Sequence, residues 1–170
     1  MRKKNSYLLC LLLPIFSGCM FTHIHKIKTQ GIAAHAGLHG LNHSAIEIGV
    51  GSFTYGYYDL PHMGWWASRS YALTSRIELG DTTMYAFEAS LWGEGLFGMG
   101  INAGYYTNFS ANSCFYIRPE IGTGEIPIGF LYIHGAIGWN IRLLNHNAPE
   151  FNSPNLRVRL TIPFDTTTES

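Results

Sequence analysis

The chain has 170 residues, enough for one domain with a sizeable core. Its formal net charge is zero, which gives nucleic acid no electrostatic reason to bind. Charged residues make up 13%, against about 25% in an ordinary soluble domain, while aromatics reach 14% and glycines number 19, a mixture that excludes a disordered chain and a helical bundle.

Arg2, Lys3 and Lys4 open the chain, and Tyr7 to Phe16 is apolar. That run is shorter than the ~20 residues a helix needs to cross a bilayer. Ser17-Gly18 supplies small residues before a cleavage point, so residues 1–18 read as a signal peptide. Phe16-Ser17-Gly18-Cys19 resembles the lipobox of bacterial lipoproteins, although Phe16 stands where that family prefers Leu. The resemblance implies that Cys19 is lipidated and becomes the new N-terminus. Cys10 is lost with the leader, so Cys114 stands alone and no intrachain disulfide framework is implied. Cys114 reads as a small buried packing residue.

Residues 19–43 then read as the lipidated cysteine and a tether. They hold Lys26, Lys28, five histidines and little apolar periodicity, and no lysine follows Lys28. An extra strand over 31–41 is an alternative, since Ile32, Ala34, Ala36 and Leu38 alternate with His35 and His39. His35, His39 and His43 recur every four residues, so a helix or a strand would align these zinc-ligand types on one face. Gly37 and Gly40 disfavour a helix, and structural zinc takes four converging ligands. No metal and no cofactor are therefore expected. His43-Ser44 with Glu47 has the residue types of a serine hydrolase, but neighbours on a strand point to opposite faces. Gly98-Met99-Gly100 and Gly122-Thr123-Gly124 do not open a helix as a dinucleotide fingerprint would. An enzyme is not expected.

From Ser44 the pattern has period two. Apolar residues alternate with small or polar ones through Ile46–Val50, Tyr71–Leu79, Tyr85–Leu91, Phe97–Tyr105, Phe115–Ile121, Leu131–Ile141 and Leu156–Phe164. Gly80-Asp81 and Gly93-Glu94-Gly95 suit tight hairpins. Asn108–Asn112 and Gly122–Glu125 read as short loops, Tyr55–Trp66 and Asn145–Pro154 as longer ones. Short connections mean antiparallel neighbours. Pro119 and Pro127 predict strand ends, bulges or edges.

Alternation does not say which face meets solvent. Water-facing strands carry Lys, Glu and Thr, whereas the non-apolar face here is mostly Gly, Ala, Ser and Asn. Residues this small suit the inside of a narrow barrel. Arg76, Glu78, Glu88, Arg118, Glu120, Arg157 and Arg159 share that face and can neutralise one another as an interior charge network; a sheet with solvated ion pairs is the other reading. Tyr55, Tyr57, Tyr58, Trp65, Trp66, Trp92, Tyr105, Tyr106 and Trp139 lie near the predicted strand ends, as aromatic girdles do in membrane barrels.

Arg118-Pro119-Glu120-Ile121-Gly122 and the closing run Leu156 to Phe164 resemble strands of small bacterial outer-membrane β-barrel proteins. The similarity runs from Ser44 to Phe164 by pattern. That family ends on its last aromatic, whereas Asp165 to Ser170 follow Phe164 here. The expected fold is all-β, an antiparallel meander closed into a barrel of about eight strands. The expected domains are a signal peptide (1–18), lipidated Cys19 with its tether (19–43), a barrel (44–164) and a tail (165–170). The resemblance implies a non-enzymatic envelope protein in the outer membrane, in contact with its lipid, with a structural or surface-contact role and neither nucleic acid nor an obligate protein as partner. A lipid-anchored soluble barrel that binds a small apolar ligand is the alternative, and a lipid-modifying enzyme a third.

Overall fold

The computed structural model describes residues 24, 26–41, 44–60, 63–94, 97–110, 112–144 and 153–167. The leader, Cys19 and His43 lie outside the described residues. Ten strands follow in chain order: β1 (Lys26–Leu41), β2 (Ser44–Leu60), β3 (Met63–Leu79), β4 (Met84–Glu94), β5 (Gly98–Thr107), β6 (Ser113–Gly122), β7 (Ile126–Ile128), β8 (Leu131–Trp139), β9 (Ile141–Leu144) and β10 (Pro154–Thr167). Consecutive long strands pair antiparallel, β6 pairs β8, β8 pairs β10, and β10 returns to β1. The sheet is therefore an eight-stranded closed barrel, with β7 and β9 as short additions.

Each addition marks an interruption with a cause. β6 pairs with β9 at Phe115–Ile117 and with β8 at Glu120–Gly122, and the ladder breaks between. Pro119 has no N–H to give there. Asn140, between β8 and β9, donates its backbone N–H to the Ser153 carbonyl at 2.9 Å, on the β10 side. The second interruption is a bulge. Gly122 faces Ala136 but Ile126 faces Ile133, so three residues oppose two. Thr123 and Gly135 pin it with reciprocal bonds, N–H to carbonyl at 2.8 Å and N–H to Oγ1 at 2.9 Å. A regular strand would turn Gly124 inward; the bulge buries Glu125 and leaves Ile126 and Ile128 exposed. Gly129, at φ 64°, then makes the tight turn into β8.

The strands are staggered. A path of paired residues that leaves β8 at Gly138 runs through Glu120, Gly100, Trp92, Ser70, Phe53 and Gly31 to Thr166. It returns beyond Thr161–Tyr132, the last β10–β8 pair. This displacement is the stagger that closure into a tilted barrel requires.

Period two becomes inside and outside. Glu47, Arg76, Glu88, Arg118, Glu120, Arg157 and Arg159 are buried, whereas Ile48 is 63% exposed and Leu73 71%. The apolar face points outward and the charged face fills the lumen.

The observed strands are longer than the pattern predicts at three places. Residues 26–41, read as tether with an extra strand over 31–41 as the alternative, form β1. The Ala-rich face of that segment points out and His35 and His39 point in. Tyr55–Trp66, read as a loop, continues β2 and β3 as far as Leu60 and Met63. Tyr57 and Trp66 sit opposite one another across this ladder, ring against ring. The tail is shorter than predicted, because Asp165, Thr166 and Thr167 pair with Ile32, Gly31 and Gln30.

Candidate functional site

The lumen holds a chain of alternating charges. Arg159 donates through Nε and Nη2 to Glu47 Oε1 at 2.8 and 2.5 Å. Glu47 Oε2 lies 3.9 Å from Arg157 Nη1, and Arg157 Nη2 lies 2.5 Å from Glu120 Oε2. Arg118 bridges onward, with Nε 2.7 Å from Glu120 Oε1 and Nη2 2.7 Å from Glu88 Oε2. Arg76 Nε stands 3.5 Å from Glu88 Oε1, and the Tyr116 hydroxyl donates to the same oxygen. Tyr106 donates to Glu78 at 2.8 Å. Every member is buried. Buried charges are tolerable only when paired and hydrogen-bonded, and here each carboxylate has an arginine, tyrosine or histidine partner.

Six strands supply these groups. Alternation presents them at every second residue, so Arg157 and Arg159, or Arg118 and Glu120, lie on one face. All seven sequence-singled charges, Arg76, Glu78, Glu88, Arg118, Glu120, Arg157 and Arg159, reach the lumen. Glu47, which sequence reasoning set beside a hydrolase-like grouping, sits at the centre instead. Its partners are Arg159, Arg157 and His39, whose Nε2 lies 2.9 Å from Oε2. Ser44, by contrast, is exposed. The period-two position of Glu47 carried the signal. Glu125 carried none, because the bulge that turns it inward shifts the parity.

The histidines are interior polar partners. His39 Nδ1 lies 2.9 Å from Asn155 Oδ1, and His35 Nδ1 3.3 Å from Thr161 Oγ1. His134 Nδ1 is 2.8 Å from Glu125 Oε1, and its Nε2 faces Arg157 Nη2 at 3.3 Å. Arginine only donates, so Nε2 accepts and Nδ1 carries the proton for Glu125. His134 therefore has neither ring nitrogen free as a base in this arrangement. Among the described residues no group of three His, Cys, Asp or Glu side chains is placed to hold a metal ion.

Trp92 crosses the lumen, fully buried, and stacks on His134 with ring centres 4.4 Å apart. Its indole lies on β5, where a Cβ at Gly98 or Gly100 would fall within contact distance of the ring. Gly100→Val is expected to cost about 1–3 kcal/mol through overpacking, read as a lower denaturant midpoint. An unchanged midpoint would mean that Trp92 can move aside freely.

Toward the end where β1 begins and β10 finishes, the lumen becomes aromatic. Phe53, Tyr55 and Tyr132 pack at 4.7 and 4.8 Å, and the Tyr132 hydroxyl lies 2.9 Å from Thr29 Oγ1. β1, β2 and β3 then overhang, since β3 pairs with β4 only from Arg69 onward. On the overhang Tyr55 stacks on Trp66 at 5.1 Å, and Trp66 lies 3.9 Å from Tyr57. Tyr57 and Trp66 share the ladder parity of Tyr55, hence the lumen side of the sheet. The girdle expected from Tyr55, Tyr57 and Trp66 is thus a lining of the barrel mouth, because strand parity sends them inward. Trp92 and Tyr106 are likewise interior, while Trp139 and Tyr105 are exposed on the outer face. Cys114 is buried between Met84, Ala86, Tyr106 and Tyr116.

Compared with known proteins, the chain matches no family model, no curated protein and no solved structure.

Proposed function

We propose that the chain is a non-enzymatic outer-membrane β-barrel protein of the bacterial envelope, exported by its leader, with a structural or surface-contact role. One observation carries this reading: the outer face is apolar around the barrel while ions fill the middle. Soluble monomers rarely expose apolar patches beyond a few hundred Å². Here Leu38, Ile48, Leu73, Phe87, Ile137 and Val158, from six different strands, are all exposed. β4, β5 and β6 have 11, 10 and 10 residues, the length of a tilted membrane strand, ~9–11. A lumen filled by Trp92, Tyr116 and the arginines suits a plug better than a channel. It also does not suit a cup for an apolar ligand. Lipidation at Cys19 would tether the barrel at the end where β1 begins.

The folded chain is expected to run faster on gels before boiling than after, and to leave envelope membranes only with detergent. Migration unaffected by boiling, together with full solubility in buffer after removal of residues 1–19, would refute the membrane reading.

A further inference from the structure

The overhang carries groups that the charge network does not use. Lys26 pairs across β1–β2 with Tyr57, and Tyr57 across β2–β3 with Trp66. A bulge between Ile27 and Thr29 disturbs the register beside them, and Lys28 Nζ stands 5.1 Å from the Trp66 ring centre. Tyr57 is 38% and Trp66 37% exposed, whereas Phe53 and Tyr55 beneath them are buried. These two lysines are the only ones in the chain outside the leader. Among the described residues the buried cations of the lumen are all arginines. Both exposed ammonium groups are therefore set at one mouth, beside open aromatic rings.

We propose that this concave mouth binds an acidic saccharide, its rings stacked on Tyr57 and Trp66 and its carboxylates paired with Lys26 and Lys28. An aromatic face carries partial negative charge, and the C–H face of a sugar ring meets it with partial positive charge. Tyr and Trp offer rigid contact area at low entropic cost. Lysine is a compact, hydrated point charge that suits an anion at an accessible surface, where no planar two-point fit is demanded. An acyl chain gains nothing from two ammonium groups. The inference does not rest on the membrane reading, because the lumen side faces away from whatever surrounds the barrel.

Isothermal titration of the full chain tests it, in a detergent without a sugar headgroup. Tetragalacturonate is expected to bind about tenfold more tightly than neutral cellotetraose. Lys26→Gln with Lys28→Gln should bring the acid down to the level of the neutral sugar. Tyr57→Ala should weaken both by about tenfold, the ordinary loss for an aromatic anchor. Both lysines are exposed, so their variant keeps the fold even if Tyr57→Ala does not, and circular dichroism checks each. No binding of tetragalacturonate, equal affinity for cellotetraose, or equal affinity for hexaglutamate would overturn the proposal, the last by pointing to an acidic peptide.

Discussion

Replacing Glu47 with alanine is expected to destabilise the barrel by about 3–5 kcal/mol, the cost of breaking a buried ion pair from one side. Arg159 would keep only Ser90 Oγ, at 3.2 Å, and His39 would lose its carboxylate. Arg157 would fare better, since it retains Glu120. The loss is read as a lower urea midpoint at unchanged slope. Removing the partner charge as well should restore most of it, because apolar replacements for a buried pair are often neutral or stabilising. Glu47→Leu with Arg159→Met is the matching variant, and a double-mutant cycle gives the coupling. A cost below about 1 kcal/mol for Glu47→Ala would mean that the carboxylate is effectively solvated, like an exposed ion pair.

Leu73→Arg tests the other face. Leu73 lies in the cross-strand row Val50–Leu73–Ala89–Ala103–Ile117, well inside the apolar band. In lipid, an arginine near the bilayer midplane of a barrel costs about 2–4 kcal/mol. In water the same change at a site 71% exposed should stay within about 0.5 kcal/mol. Reversible unfolding in phospholipid vesicles measures it. A variant as stable as the parent there would remove lipid from the picture. The two substitutions are complementary, since the Glu47 result is the same for a lipid-embedded or a soluble barrel and the Leu73 result is not.

The strand order and the face assignment were legible because alternation is local: each of Glu88, Arg118 and Arg157 sits between outward apolar neighbours. What local pattern cannot show is which strands overhang. Tyr55, Tyr57 and Trp66 read as girdle aromatics beside a loop, and only the pairing of Tyr57 with Trp66 beyond the last β3–β4 pair turns them into a lining. β1 was obscured by its composition. Ala34, Ala36, Gly37 and Gly40 give a faint hydrophobic rhythm, and histidines at inward positions look like a solvated tether until Thr161, Asn155 and Glu47 are brought opposite them. Glu125 was beyond reach, since a bulge changes parity through backbone geometry that period-two reading does not carry.

The ladder between Gln30–Leu41 and Asn155–Thr167 joins the earliest strand to the last. Until it forms, the meander has two raw borders, each offering a row of unanswered amides and carbonyls to any neighbouring chain. Completion is therefore a late, long-range event that no early hairpin can anticipate. A chain of this kind depends on being shielded from its own copies while it folds, and its vulnerability lies in the interval before its first and last strands meet.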